Sequence, residues 1–369
     1  MSELYIGLMS GTSLDAIDAV LVDFSAGVRL LGTHTIPMPA VMREQLTALC
    51  QSGPDEIERM GRLDVELGLL FARAARGVLD SSEHSAGDII AIGSHGQTVR
   101  HRPHAAPGFT LQIGDPNVIA EQTGIPVVAD FRRRDIAAGG EGAPLVPAFH
   151  AAVFGHPQRH RIILNLGGIA NITVLPAGAS DTVTGFDTGP ANLLMDGWSA
   201  ACRGLPYDAG GEWASSGDVN TPLLGRLLNH VFLTQEPPKS TGREDFNLNW
   251  LLAILDTLPG RVSDADVQAT LLEFTVESVA RAIERLGLPG GDLFLCGGGA
   301  HNMALWHRLA ERLAAWQVSS TSSLGIAPGW VEATAFAWLA CQRINQHPGN
   351  LPAVTGARGP RVLGGLYAP

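Results

Sequence analysis

Leu4-Tyr5-Ile6-Gly7-Leu8-Met9-Ser10-Gly11-Thr12-Ser13-Leu14-Asp15-Ala16-Ile17-Asp18-Ala19-Val20-Leu21-Val22-Asp23 is the stretch from which the rest of the chain is read. Two short apolar runs flank a cluster of Gly, Ser, Thr and Asp, the pattern of strand, tight turn, strand. The turn offers backbone N–H groups without bulky side chains, the hydroxyls of Thr12 and Ser13, and the carboxylates of Asp15 and Asp18. Such a concavity of donors suits phosphate oxygens. A nearby carboxylate suits Mg²⁺, which takes oxygen ligands and keeps several waters. The bland alternative is a polar hairpin with no ligand. Two common phosphate cradles are absent: G-x-x-x-x-G-K-[ST] occurs nowhere, and no G-x-G-x-x-G opens a helix here.

The chain repeats the device about halfway along. Arg161-Ile162-Ile163-Leu164-Asn165-Leu166-Gly167-Gly168-Ile169-Ala170-Asn171-Ile172-Thr173-Val174-Leu175 is again strand, Gly-rich turn, strand. Two phosphate-sized hairpins, one opening each half, imply an α/β fold of two duplicated lobes with a nucleotide clamped in an interlobe cleft. That plan resembles the actin-like (ribonuclease H-like) superfamily of actin, hexokinase, sugar kinases and heat-shock ATPases. The expected lobes are residues 1–150 and 151–369, with the crossing near His156-Pro157-Gln158-Arg159-His160.

Composition narrows the function classes. A chain of 369 residues, 45% hydrophobic and 17% charged, has room for two domains with substantial cores. A net charge of −11 argues against a nucleic-acid partner, whose phosphates need a basic surface. Cys50, Cys202, Cys296 and Cys341 lie far apart with no C-x-x-C pair, which disfavours a zinc site or disulfide framework and fits a reducing compartment. No apolar run approaches 18 residues and no signal-peptide pattern is seen, so the expectation is a soluble, cytoplasmic protein with no membrane partner.

Further stretches carry candidate chemistry. Ile57, Met60, Leu63, Leu67, Leu70, Phe71, Ala74 and Val78 recur at helical spacing and predict a long amphipathic helix. Ile89-Ile90-Ala91-Ile92 is a buried strand breaking into Gly93-Ser94-His95-Gly96-Gln97-Thr98, where His95 either meets a ligand or satisfies a turn carbonyl. Arg132-Arg133-Arg134 beside a Gly-rich loop could bind a carboxylate or phosphate, although such a run commonly turns at most one guanidinium inward. Asp187 is expected to end a strand, with Pro190 in the first turn of the following helix and Thr188 at least as good a cap as Asp187. Residues 239–247 read either as a lid or as a surface excursion. Cys296-Gly297-Gly298-Gly299 ends a strand before a helix over residues 303–316, and backbone that bare lets a ring or phosphate lie against it. Glu332 stands in the first turn of a last helix, as a dipole-satisfying acid or a ligand contact.

Together these segments resemble the anhydro-N-acetylmuramic acid kinase family. The likeness rests on Gly7-Leu8-Met9-Ser10-Gly11-Thr12-Ser13-Leu14-Asp15, Gly93-Ser94-His95-Gly96-Gln97-Thr98, Ala129-Asp130-Phe131-Arg132-Arg133-Arg134-Asp135 and Gly142-Ala143-Pro144-Leu145-Val146-Pro147. It continues through Asn165-Leu166-Gly167-Gly168, Phe186-Asp187 with Gly189-Pro190, Lys239-Ser240-Thr241-Gly242-Arg243-Glu244 and Cys296-Gly297-Gly298-Gly299-Ala300. Ala16 departs from the glycine expected after the aspartate. The resemblance implies an enzyme using ATP, Mg²⁺ and water to open a 1,6-anhydro amino sugar from cell-wall turnover and phosphorylate its O6. It implies Asp187 as general base. The nucleotide phosphates would meet Gly11, Thr12, Ser13, Leu14, Asp15, Ala16, Ile17 and Asp18, together with Gly167, Gly168, Gly297, Gly298 and Gly299. Asp15 and Asp18 would hold Mg²⁺, directly or through water; Thr98, Asp115, Arg132 and Glu332 are the sugar-contact candidates, Arg132 suiting the lactyl carboxylate. The family also implies lobe closure and a homodimer. Rival readings are a kinase of another sugar on the same fold, a non-catalytic ATP-dependent binder, and a nicotinamide dehydrogenase. The missing dinucleotide fingerprint counts against the last.

Overall fold

The computed structural model describes residues 2–178 and 183–369. The chain divides into two compact units: everything up to Val153 together with Trp330–Pro369, and the contiguous Phe154–Gly329. The chain first passes from one unit to the other between Val153 and Phe154. The second lobe does not run to the end of the chain, because Trp330–Pro369 returns to the first unit.

The first unit holds β1 (Leu4–Met9), β2 (Ala16–Asp23), β3 (Arg29–Pro37), β4 (Ile89–Ser94), β5 (Gln97–Arg102), β6 (Phe109–Ile113) and β7 (Val127–Ala129). The second holds β8 (Arg161–Leu166), β9 (Ile169–Leu175), β10 (Thr184–Pro190), β11 (Gly291–Cys296) and β12 (Trp316–Ser320), and β13 (Gly365–Tyr367) closes the first. Both hairpins form as expected: β1 pairs antiparallel with β2, and β8 with β9.

The main sheet of the first unit runs β13-β7-β4-β1-β2-β3. Alternation along β1 sends Leu4, Ile6 and Leu8 to one face and Tyr5 to the other. The first face is covered by the helix Glu56–Asp80, which buries Leu63, Leu67, Leu70, Phe71, Ala74 and Val78. Ile57, counted in that stripe, is instead 81% exposed. The helix Val331–Ile344 covers the second face through Ala333, Phe336, Ala337 and Ala340.

Two glycines explain why the returning helix docks there. Gly7 and Gly93 are register partners on β1 and β4. A Cβ on Gly7 would lie 1.9 Å from the Ala333 carbonyl oxygen, and one on Gly93 2.0 Å from that of Phe336. The helix backbone thus rests directly on the sheet, a close approach only glycine permits.

The second unit's sheet runs β10-β9-β8-β11-β12. The helix Asp264–Glu284, capped by Ser263, is buried along most of its length among Leu164, Ile172, Leu223 and Phe246. Two strands differ from expectation. The residues around Thr98 form β5, hairpinned to β6, and the helix expected over residues 303–316 stops at Arg312. Trp316 opens β12 instead, because pairing with β11 in continuous parallel register satisfies its backbone. Among the described residues no helix is long and apolar enough to cross a membrane.

Candidate functional site

The β1–β2 turn keeps its donors free. Among the described residues the amides of Gly11, Thr12 and Ser13 donate to no protein acceptor, while the Gly11 carbonyl accepts from Leu14 N at 3.3 Å. Leu14 takes φ 57°, the left-handed region, which turns the chain sharply. Leu14 and Ile17 bury their side chains in the core, so only their backbone can face a ligand. The Asp15 carboxylate accepts from Ser13 Oγ at 2.7 Å and from Ala16 N at 3.0 Å. Asp18 accepts from Thr35 Oγ1 at 2.7 Å. Burial raises the Asp18 pKa, and the charge of Asp15 adds to it. The methyl of Ala16 enters β2 without disturbing its pairing to β3.

Arg132 is the sugar-contact candidate whose charge reaches Glu332. Its guanidinium donates to His95 Nε2 from Nη2 at 2.9 Å and from Nε at 3.3 Å, and to the Gly142 carbonyl from Nη1 at 2.9 Å. Arg133 pairs with Asp130 at 2.9 Å and Arg134 is exposed, so one guanidinium of the run turns inward, as expected. Glu332 begins the helix Val331–Ile344 and is reached by solvent. The protein crowded around it raises its carboxyl pKa, the charge of Arg132 opposes this, and Asp18 adds to it. Thr98 lies on β5 and accepts from Gln112 Nε2 at 3.1 Å. Asp115 caps the helix Pro116–Thr123, accepting from Asn117 N at 2.8 Å. One of its oxygens therefore has a structural task.

Asp135, part of the same arginine-rich segment, is fully buried. It accepts from Gly142 N at 2.8 Å, Asn350 Nδ2 at 2.6 Å and Thr355 Oγ1 at 2.8 Å. Because Gly142 in turn accepts from Arg132, this buried carboxylate braces the loop that holds the guanidinium.

In the second unit Asp187 sits within β10, not at its end. The strand continues to Pro190 and the helix begins at Asn192. Thr188 is no cap either, since its hydroxyl donates to the Ala170 carbonyl at 3.2 Å. A break in register between Asp187 and Gly189 lets the strand bend there. The segment after Pro238 fastens Asp187 on both sides: Asp187 N donates to the Lys239 carbonyl at 3.2 Å, and Thr241 N donates to Asp187 Oδ2 at 3.0 Å. Burial pushes the Asp187 pKa up to about 6 despite that bond and the charge of Lys239, with Glu244 adding to the rise. Lys239, the only lysine in the chain, donates to the Phe232 carbonyl at 3.2 Å and lies 4.6 Å from that ring's centroid.

The glycine turns divide into packing and open positions. A Cβ on Gly297 would meet Asn165 Oδ1 at 2.3 Å, and one on Gly299 would meet Leu166 Cβ at 2.6 Å. Close packing on the end of β8 therefore accounts for these two, whereas Gly298 faces open space. The Gly167 and Gly168 carbonyls accept from Asn192 N at 3.0 Å and Ala191 N at 2.9 Å, which closes the start of the following helix. Among the described residues the amides of Gly167 and Gly168 donate to no protein acceptor.

The family model for anhydro-N-acetylmuramic acid kinase matches residues 3–369. The chain belongs to the anhydro-N-acetylmuramic acid kinase family. It is 53% identical over 365 residues to a member from Shewanella putrefaciens, covering 99% of this chain and 98% of that one. Members from Saccharophagus degradans and Acinetobacter baylyi are 52% and 51% identical, with 99% of each chain covered. A ROK family glucokinase from Streptomyces griseus, solved with glucose and AMPPNP, is 14% identical with a TM-score of 0.41, covering 92% of this chain and 99% of that one. That likeness is too loose to carry the assignment, which rests on the sequence relatives. As a member of this kinase family the chain is an enzyme.

Within the family's motifs, Thr241 and Lys239 were the partners of Asp187 that sequence reasoning did not find. Their segment stood out as a motif, but nothing in it points to a residue 54 positions away. His95 faces Arg132, a pairing that neither residue's neighbours in the chain suggest.

Proposed function

We propose that this chain is an ATP-dependent kinase that opens 1,6-anhydro-N-acetylmuramic acid with water and phosphorylates O6. The products are N-acetylmuramic acid 6-phosphate and ADP, and the step belongs to recycling of cell-wall peptidoglycan. The observation that carries the mechanism is the Asp187 carboxyl, fastened by Thr241 and raised to about 6. A base with a pKa just below the working pH is deprotonated yet still basic.

In this reading Asp187 takes a proton from water as the water oxygen bonds to the anomeric carbon. The C1–O6 bond breaks, and the electron pair left on O6 attacks the γ-phosphorus, expelling ADP. The free amides of Gly11, Thr12 and Ser13 would stabilise charge on the phosphate oxygens, the larger part of phosphoryl-transfer catalysis. Gly298, with the amides of Gly167 and Gly168, would serve the nucleotide from the second unit. Arg132, with Thr98, Asp115 and Glu332, would bind the sugar, the guanidinium facing the lactyl carboxylate.

The donor chemistry fits Mg²⁺. Burial raises the Asp18 and Glu332 pKa values, and the charges of Asp15 on Asp18 and of Asp18 on Glu332 add to it, a field a cation relieves. Among the described residues no three His, Cys, Asp or Glu converge on a metal point. Asp15 and Asp18 would therefore hold Mg²⁺ with help from water and phosphate oxygens. When bound, Mg²⁺ neutralises charge on the transferring phosphoryl group. In this reading the protein is a cytoplasmic homodimer, and sedimentation in the analytical ultracentrifuge checks the oligomeric state.

The test is ADP release with Mg²⁺-ATP and the anhydro sugar, with product identified by mass. Sugar-dependent ADP and a product heavier by phosphate plus water support the reading. Asp187→Asn should lose about 10²- to 10⁴-fold in kcat while remaining folded. ADP formed only with another sugar would refute the substrate assignment. ATP binding without turnover on any sugar would make the chain a binder.

A further inference from the structure

We propose that His95 is a positioning residue that ties the Arg132 guanidinium to Ser10, the residue opening the phosphate turn, and thereby couples sugar binding to nucleotide binding. The inference rests on the reading of Arg132 as the sugar-carboxylate contact and of residues 11–13 as the phosphate contact.

The ring has two polar edges and both are used. Nε2 faces only donors, the Nη2 and Nε groups of Arg132 at 2.9 and 3.3 Å, so it must present its lone pair. The ring proton therefore sits on Nδ1, which donates to the Ser10 carbonyl at 3.3 Å. Burial and the adjacent guanidinium push the His95 pKa down to about 3, which keeps the ring neutral at any working pH. A second proton would point straight at the guanidinium.

Nothing else about the ring is loose. The His95 amide donates to the Leu8 carbonyl at 3.0 Å, and the ring centroid lies 4.7 Å from that of Phe336. Phe336 stands one helical turn after Glu332, so the helix that presents the acid also packs the imidazole. On the far side, Ser10 donates its hydroxyl to Gln97 Oε1 at 2.7 Å. Displacing the turn when a phosphate seats on Gly11, Thr12 and Ser13 thus moves a carbonyl that the ring holds.

The guanidinium is left with a defined remainder. Three of its five N–H groups go to His95 and Gly142. One N–H remains on each terminal nitrogen, and a carboxylate can accept from these. His95 aims these N–H groups without touching the ligand.

The test uses two variants that divide the ring's bonds. His95→Asn keeps a donor near the Nδ1 position and removes the acceptor for Arg132. His95→Gln places an oxygen near the Nε2 position and removes the donor to Ser10. Sugar affinity is measured by calorimetry with and without saturating ADP, beside sugar KM and kcat. The same sugar lacking its lactyl group is the control ligand.

In the wild type, ADP should tighten sugar binding by about 5-fold or more. His95→Asn should raise sugar KM roughly 10- to 100-fold with kcat changed far less, and should lose preference for the lactyl-bearing sugar. His95→Gln should hold sugar KM near the wild-type value and lose the ADP effect. A wild type without ADP-dependent tightening overturns the proposal without recourse to any variant. Folded variants that keep both affinity and ADP effect overturn it too. If the wild type does not prefer the lactyl sugar, the Arg132 reading fails first and takes the proposal with it.

Discussion

Asp187 carries two opposite consequences of one shift. Its carboxyl is moved from the usual 3.8 to about 6 by burial. As a base it works only when deprotonated, so kcat/KM should fall on the acid side with a midpoint near 6. For stability the sign reverses from that of an ion-paired aspartate. The folded state binds the proton more tightly than the unfolded one, so stability decreases as pH rises through roughly 4 to 6. Asp187→Asn, inactive, should therefore be more stable than the wild type at pH 8, by about 1–2 kcal/mol after discounting for partial exposure. Denaturant titration at pH 4 and pH 8 checks this, with the difference vanishing at the lower pH. Lys239 opposes the shift through its charge. Lys239→Met should move the acid limb of the pH–rate profile upward, whereas a limb that stays in place would mean the lysine does not reach the base.

At the scale of elements, the returning helix Val331–Ile344 depends on the bare backbone at Gly7 and Gly93. Either Gly→Ala change puts a methyl within 2.0 Å of a helix carbonyl oxygen. Each should cost about 3 kcal/mol or more, at or beyond the upper end for overpacking, seen as a large drop in melting temperature. Asp135→Ala strands three buried donors, from Gly142, Asn350 and Thr355. It should cost a similar amount and raise sugar KM through the slackened Gly142 loop. Both hairpins and the long helix Glu56–Asp80 were legible because local pattern determines them. Strands β5 and β12 were not, since partners elsewhere in the sheet decide them. The strand end expected at Asp187 was missed for the same reason: pairing with β9 carries β10 on to Pro190. Of the glycine run, only Gly298 keeps the open face read from sequence, because the contacts that fill Gly297 and Gly299 come from β8.

For the whole molecule, the two units are unequal in sequence terms. Phe154–Gly329 is continuous, with its own sheet and core, and should fold when expressed alone. Residues 1–153 lack both the helix laid on Gly7 and Gly93 and the strand β13 that pairs with β7. That fragment should remain unfolded unless Trp330–Pro369 is supplied, which circular dichroism of the fragments checks. The last forty residues were assigned to the wrong unit because nothing local in a helix reveals which sheet it covers. Motif content, by contrast, was legible in full order along the chain, and the family match over residues 3–369 agrees with it.

The central claim is that Asp187 directs a water to the anomeric carbon while O6 takes the phosphoryl group. It is tested most directly by running the reaction with Mg²⁺-ATP and the anhydro sugar in H₂¹⁸O and locating the label by fragment mass. The account predicts one ¹⁸O on the anomeric hydroxyl of the sugar phosphate and none in its phosphate. Label in free phosphate with the sugar unchanged, or a phosphorylated sugar carrying no label, would contradict it.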